Sequence, residues 1–498
     1  MAVHEESTSR FEGLLTKHSE WVIASSDGSL FQARANEICV LAGVGGFSIE
    51  IPTDAGIRRL NPDSIEVVED SIRITSISDT TGIRDQVLLI PRIDMADVRN
   101  LLESARMEIA GLVADALGNL DEPLRVKRID MSAEGGRLAR IICEDRWKNE
   151  RLAYVDVSES LNPEHLMTKV LLELQALSIR KKRVPLPIIT VLSERIVRGF
   201  EALHSTLRPA IGKLIEAFQF ESQSGAPAIT PIAIADEWRE AHGKRVSHRR
   251  PTRMSVEMTS EIKDAIDSAV SLDPEAVDFI TSSSGWSVRY HGLPFLRIRT
   301  VKGNIRCWIG VGERRREIPI EETMLWSGEI VMSLSEYRRH DPPTRRHELY
   351  RLAPEAWLES MLVRDITRLD PNLIVAPLFS QFRSGPDRID ILALREDGRL
   401  VVVEVKVAPD REVLFQSVDY WRKLEAERVV DAGRFSELFG GRKVSNRPPM
   451  IYIVAPLLSF QSDFDFLVGC LDPSIRICRF DLNEDWRKQV RVHQRTEY

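Results

Sequence analysis

Residues 1–95 carry short runs in which apolar and polar side chains alternate: SEWVIAS, SLFQARA, EICVLAG, FSIEIP, SIEVVE, SIRITSI and DQVLLIP. Asp27-Gly28, Gly45-Gly46 and Asn61-Pro62-Asp63 separate them. A period of two bounded by turn residues predicts strands, and hence a small β-rich domain. From residue 96 the period lengthens. DVRNLLESARMEIAGLVADALG reads as a helix, and LRVKRIDMS, RLARIICED and RLAYVDVSE read as strands. A helix (NPEHLMTKVLLELQALSIR), a strand (LPIITVLS), a helix (ERIVRGFEALHSTLRP) and a strand (KLIEAFQFE) follow, with Asn162-Pro163 and Ser193 as helix starts. Residues 221–260 lose periodicity: SQSGAPAITP is rich in Pro, Ser and Gly, and GKRVSHRRPTR is a basic run, which predicts a linker. Residues 261–349 are mixed, with a helix (SEIKDAIDSAV) and strands within WSVRYHGLPFLRIRTV and IRCWIGVG.

Residues 350–498 begin with a helix, PEAWLESMLVRDITRL. Three strands come next, LIVAPLFSQF, RIDILAL and LVVVEVKV, with a Glu396-Asp397-Gly398 turn between the last two. The helix REVLFQSVDYWRKLEAERVV, the strand PMIYIVAP, the short helix DFDFLVGCL and the strand IRICRFDL complete the segment. This order matches that of 96–220 and suggests an internal duplication of one unit. The expected fold class is mixed α/β, an α+β multidomain chain with an αβββαβ core at its C-terminal end. Domains are expected at 1–95, 96–220, 261–349 and 350–498, the linker lying between the second and third.

With 498 residues the chain exceeds one core, and 43% apolar with 29% charged residues is an ordinary globular balance. A net charge of −7 confines any nucleic-acid site to a local patch. Basic segments at Arg180–Arg183, at Lys244, Arg245, Arg249, Arg250 and Arg253, and at Arg314–Arg316 are candidates for phosphate contact. Five scattered cysteines form no C-x-x-C pair, so free thiols in a reducing cytoplasm are expected rather than zinc or disulfides. No secretory signal pattern and no run of 18 apolar residues occurs, so no membrane partner is expected.

The chemistry concentrates in LVVVEVKV. Side chains alternate along a strand, so Glu404 and Lys406 share one face and Val403, Val405 and Val407 the other. Two charges in so apolar a strand are costly unless paired or bound to a metal. Taken alone, E-x-K is explained as well by an ion pair on a sheet face. Asp390, in the strand before, can lie beside Glu404 across the intervening turn. Two adjacent carboxylates repel, and a divalent cation with hard oxygen ligands removes that repulsion. On the following helix Gln416 and Tyr420 stand four residues apart and share a face. On the preceding helix Glu359 is a candidate third acid, with Glu355 one turn earlier as its rival.

An acid on a helix, D-x(13)-E-x-K on two adjacent strands and Q-x-x-x-Y on the next helix together resemble the PD-(D/E)XK nuclease superfamily, in its RecB-like branch. The resemblance covers roughly residues 355–455. It implies that Asp390 and Glu404 bind Mg²⁺ or Mn²⁺, that Lys406 assists the attacking water, that Glu359 completes the acidic cluster, and that Gln416 and Tyr420 orient substrate and site. The family's proline before the aspartate is displaced here: Ile389 precedes Asp390, and Pro386-Asp387 lies upstream, which leaves Asp387 as a weaker rival. The same stretch is similar to the C-terminal domain of large bacterial proteins. In the middle segment Asp156-Val157-Ser158 is expected where Glu404-Val405-Lys406 stands, with Arg140 and Ile142 where an acidic ligand is wanted and Glu144 and Asp145 close by, so that copy lacks a complete site.

The function implied is metal-dependent hydrolysis of DNA phosphodiester bonds, in restriction, antiphage defence or repair. The alternative is a catalytically weak nucleic-acid-binding or assembly protein that retains the fold. H-E-x-x-H, G-x-S-x-G and G-x-x-x-x-G-K-[ST] are all absent, which disfavours other hydrolases and a built-in motor. The partners compatible with this are DNA, a separate ATPase or other defence or repair subunit, and a second copy of the chain.

Overall fold

The computed structural model describes residues 11–25, 30–43, 46–53, 56–68, 70–77, 84–91, 95–131, 136–158, 161–181, 185–221, 228–234, 258–282, 285–301, 304–312, 314–376, 383–384 and 387–498. They form two compact units, Met1–Ala241 and His242–Tyr498. The fold is mixed α/β, as the periodicity predicts.

In the first unit the alternating runs pair into two antiparallel sheets, one of five strands and one of three. Their inward residues, among them Trp21, Ile23, Ile49, Ile74 and Leu89, share one core. Two details differ from the sequence reading. Gly56–Leu60 is an additional strand, and Pro62 begins a strand rather than marking a turn. Proline is tolerated there because the first residue of a strand need not donate to the ladder.

The second half of this unit is a six-stranded sheet, with α1 (Met95–Gly118) ahead of it. Its strands are β1 (Arg125–Asp130), β2 (Leu138–Glu144), β3 (Glu150–Asp156), β4 (Ile188–Leu192), β5 (Ile215–Glu221) and β6 (Ala228–Pro231). The first three run antiparallel, β3–β4–β5 run parallel, and β6 is antiparallel again. The parallel steps need crossovers, supplied by α2 (Pro163–Lys181) and α3 (Glu194–His204). β6 lies inside the stretch expected to be a linker; of the remainder, 235–257, with its basic run, lies outside the described residues.

The second unit opens with the helix Ser260–Ser271 and a five-stranded antiparallel sheet, Val277 to Ile318, covered by the helix Thr323–Tyr337. Then comes α4 (Pro354–Arg364), followed by a second six-stranded sheet. Its strands are β7 (Leu373–Val375), β8 (Ile391–Arg395), β9 (Leu400–Val405), β10 (Met450–Pro456), β11 (Arg476–Leu482) and β12 (Val492–Glu497). Crossovers are α5 (Val413–Val430), with Ala432–Leu438 behind it, and α6 (Phe464–Cys470). The strand directions repeat those of β1 to β6 step for step. This is the αβββαβ core expected from the sequence.

β9 is buried along its whole length. Val401, Val403 and Val405 pack with Trp357, Leu358 and Leu362 of α4, whereas Leu400 and Val402 pack with Tyr420 and Leu424 of α5. That alternation places Glu404 and Lys406 toward α5. Trp421 fixes the helix by donating its indole N–H to the Pro449 carbonyl at 2.8 Å, just ahead of β10. Among the described residues no helix is long and apolar enough to cross a membrane. None of the five cysteines forms a disulfide, and four of them are buried.

Candidate active site

β8 and β9 form a hairpin in which Ile391 faces Val403 and Leu394 faces Leu400. Continuing that register by one residue sets Asp390 opposite Glu404. The strand ladder stops there, and Asp390 Oδ2 instead accepts the Val405 N–H at 2.9 Å. The hairpin thus ends by holding one carboxylate at the margin of the sheet and the other inside it. Glu404 is 2% exposed; its Oε1 lies 3.3 Å from Lys406 Nζ, and its Oε2 is buried with no hydrogen-bond partner.

The Lys406 ammonium is surrounded by acceptors. It donates to Gln416 Oε1 at 3.0 Å and lies 3.2 Å from Asp410 Oδ2 as well as beside Glu404. The Gln416 amide then donates to the Tyr420 hydroxyl at 3.1 Å. The four-residue spacing on α5 sets both side chains on one face, and one amide bridges Lys406 to a tyrosine one turn further on. Beside Lys406 a shallow depression is lined by Asp410, Arg411, Phe460, Gln461 and Asp463.

Electrostatics follow from this packing. Burial pushes the Glu404 carboxyl well above its usual range, the Asp390 charge pushes in the same direction, and Lys406 pulls against both. Burial works against the Lys406 charge, but Glu404, Asp410 and Glu355 outweigh it and raise the ammonium above its usual value.

Asp390, Glu404, Lys406, Gln416 and Tyr420 are thus brought together. Glu359 is placed elsewhere: it is buried, and its carboxylate lies 3.7 Å from Arg289 Nη1 of the preceding antiparallel sheet. The acid of α4 whose charge acts on Glu404 and Lys406 is Glu355, the rival one turn earlier. Asp410 was not singled out from the sequence, although its position four residues after Lys406 was visible. No side-chain geometry is described for Asp387. Arg314 pairs with Glu348 at 3.5 Å, Arg316 lies 3.5 Å over the Trp326 ring, and Arg180 is 3.8 Å from Glu150. Lys244, Arg245, Arg249, Arg250 and Arg253 fall outside the described residues.

Two observations bear on whether the cluster suits a divalent cation. The unsatisfied Glu404 Oε2 beside a second carboxylate fits an ion such as Mg²⁺, which takes one or two carboxylates and keeps waters in its shell. Among the described residues, however, no group of three or more His, Cys, Asp or Glu side chains is placed to hold a metal ion.

No protein-family model matches the chain, and no curated protein matches it. Among solved structures, EndoMS in its apo form is similar at a TM-score of 0.15 and 12% identity, over 38% of this chain and 84% of that one. Likeness at that score carries no inference about activity.

Proposed function

We propose that the chain is a metal-dependent nuclease hydrolysing DNA phosphodiester bonds at Asp390, Glu404 and Lys406. The observation that carries this reading is the buried, unsatisfied Oε2 of Glu404, a carboxylate that pairs with Lys406 through its other oxygen and feels the Asp390 charge. A buried carboxylate oxygen left without a donor calls for a partner, and a bound cation would supply one.

Asp390 and Glu404 would hold the cation, Mg²⁺ or Mn²⁺. When bound it would lower the pKa of water and offset negative charge on the phosphate. Lys406 stays protonated in this setting and presents a fixed positive charge where charge develops on the scissile phosphate. Gln416 and Tyr420 hold that ammonium in place, since the amide accepts from Lys406 while donating to the tyrosine hydroxyl. Asp410 is a further acceptor for the same ammonium. Burial on both faces of β9 makes the support rigid, as in-line attack requires.

A second reading, a nucleic-acid-binding or assembly protein with a weak site, is favoured by the lack of a three-residue metal cage among the described residues. Purified wild type, Asp390→Ala and Glu404→Ala on supercoiled, linear and single-stranded DNA separate the two. Cleavage in Mg²⁺ or Mn²⁺ that disappears in EDTA and in both variants supports the nuclease. DNA binding without cleavage, unchanged by either substitution, supports the second reading.

A further inference from the structure

The sheet of the first unit repeats the scaffold of this site with its charges exchanged. The β2–β3 hairpin pairs Glu144 with Glu150, and the β8–β9 hairpin pairs Leu394 with Leu400, an offset of 250 at both partners. The turns match as well. Asp145 N–H bonds the Asn149 carbonyl and Lys148 N–H the Asp145 carbonyl, as Arg395 N–H bonds Arg399 and Gly398 N–H bonds Arg395. Lys148 and Gly398 share the left-handed backbone, with φ of 64° and 79°. The helices that follow begin at Pro163 and Val413, the same offset again.

This register corrects the alignment expected from the sequence, because Tyr154-Val155-Asp156, not Asp156-Val157-Ser158, stands where Glu404-Val405-Lys406 stands. Arg140 takes the place of Asp390, Tyr154 that of Glu404, and Asp156 that of Lys406. Leu166 and Val170, both fully buried, replace Gln416 and Tyr420.

The replacements satisfy one another. Arg140 and Tyr154 face each other in the ladder, and both reach one carboxylate on α2: Arg140 Nη2 donates to Glu173 Oε1 at 3.0 Å and the Tyr154 hydroxyl to Oε2 at 3.1 Å. Buried Asp156 accepts from the Ser193 hydroxyl at 2.8 Å and from the Ser158 N–H and hydroxyl at 3.1 and 3.2 Å. A guanidinium where an acidic ligand is wanted repels a divalent cation.

We infer that the first unit is a metal-free counterpart of the site, in which the Arg140 guanidinium supplies the positive charge that a cation supplies at Asp390 and Glu404. Each chain then has one cation-binding centre rather than two, a count that rests on the nuclease reading. One chain breaks one phosphodiester bond at a time, so cutting both strands at one place takes two chains or two visits.

The test counts Mn²⁺ bound to the full chain by electron paramagnetic resonance, in wild type, Asp390→Asn/Glu404→Gln, Arg140→Ala and Asp156→Asn. Arg140→Lys, which keeps a charge for Glu173, guards against misfolding of the alanine variant. The expected result is one ion per chain in wild type and in every Arg140 and Asp156 variant, and none in Asp390→Asn/Glu404→Gln. An ion that survives in that double variant, or a second ion that Asp156→Asn removes, overturns the silent copy alone. No ion in wild type overturns the count and, with it, the reading of Asp390 and Glu404.

Discussion

A buried carboxylate with one unsatisfied oxygen, facing a second carboxylate, destabilises the fold that holds it. Glu404 is such a group. Glu404→Gln removes the charge and keeps the shape, so the metal-free protein gains stability, by about 1–3 kcal/mol if the desolvation cost of a buried unpaired group is recovered. Melting in EDTA reads this directly: the variant melts higher than wild type, and added Mn²⁺ raises the wild-type midpoint but not the variant's. A variant that melts lower in EDTA would mean that the Glu404–Lys406 ion pair, not a cation, is what the site was built around. Gln416 acts one contact further out. Gln416→Ala frees Lys406 from one of its three acceptors, and a loss of about 10–100-fold in cleavage rate is expected, in line with other groups that orient a ligand-bearing shell. A rate unchanged within error would remove Gln416 from the positioning role.

At the scale of elements, α4 is held by a buried cation that donates to backbone carbonyls. The buried Arg338 guanidinium donates to the carbonyls of Tyr290, His291, Leu349, Leu352 and Ala353. These lie at a turn of the antiparallel sheet and at the approach to α4, the helix that carries Glu355. Arg338→Met leaves buried carbonyls unsatisfied and costs roughly 3 kcal/mol or more, measurable by urea unfolding. Beside it His291 stacks on Trp357, ring centroids 5.0 Å apart. Burial and the nearby Arg338 and Arg364 push His291 down to about 4. A folded value below the unfolded one means stability present above pH ~6.5 and lost as pH falls toward 4, up to ~3 kcal/mol for this group. His291→Asn, which tolerates the positive φ at this turn, removes that share. The stability gap between wild type and variant should shift toward the variant between pH 7 and 4.5; a gap that stays constant contradicts the assignment.

These elements also show where sequence alone suffices. Alternation in LVVVEVKV located Glu404 and Lys406 on one buried face, and the four-residue spacing located Gln416 and Tyr420, because both periods are local properties of the chain. Glu355 and Glu359 could not be told apart, since the choice depends on Arg289, which lies far upstream and meets α4 only in the folded unit. Asp410 sits in the connection before α5, where no period predicts direction. β6 and β12 were missed because an edge strand is largely exposed and reads as polar chain. The repeated topology was legible in element order, but its register was not: the two-residue error in placing Asp156 came from matching an acid to an acid, whereas the ladder matches Tyr154 to Glu404.

For the whole molecule, a net charge of −7 opposes a polyanionic substrate, so on the proposed reading DNA meets local basic groups and its binding weakens as salt rises. Two sheets share one topology, one carrying an acidic pair with a lysine and the other an arginine–tyrosine–aspartate set. The measurement that bears most directly on cleavage at Asp390, Glu404 and Lys406 is single-turnover hydrolysis of end-labelled DNA by wild type and Lys406→Met, with the protein in saturating excess and DNA binding measured in parallel. The predicted result is a product with a 5′-phosphate, formed only with Mg²⁺ or Mn²⁺, and a rate about 10²–10³-fold lower in the variant at unchanged affinity. Equal rates in the two proteins, or cleavage that persists in EDTA, would contradict it.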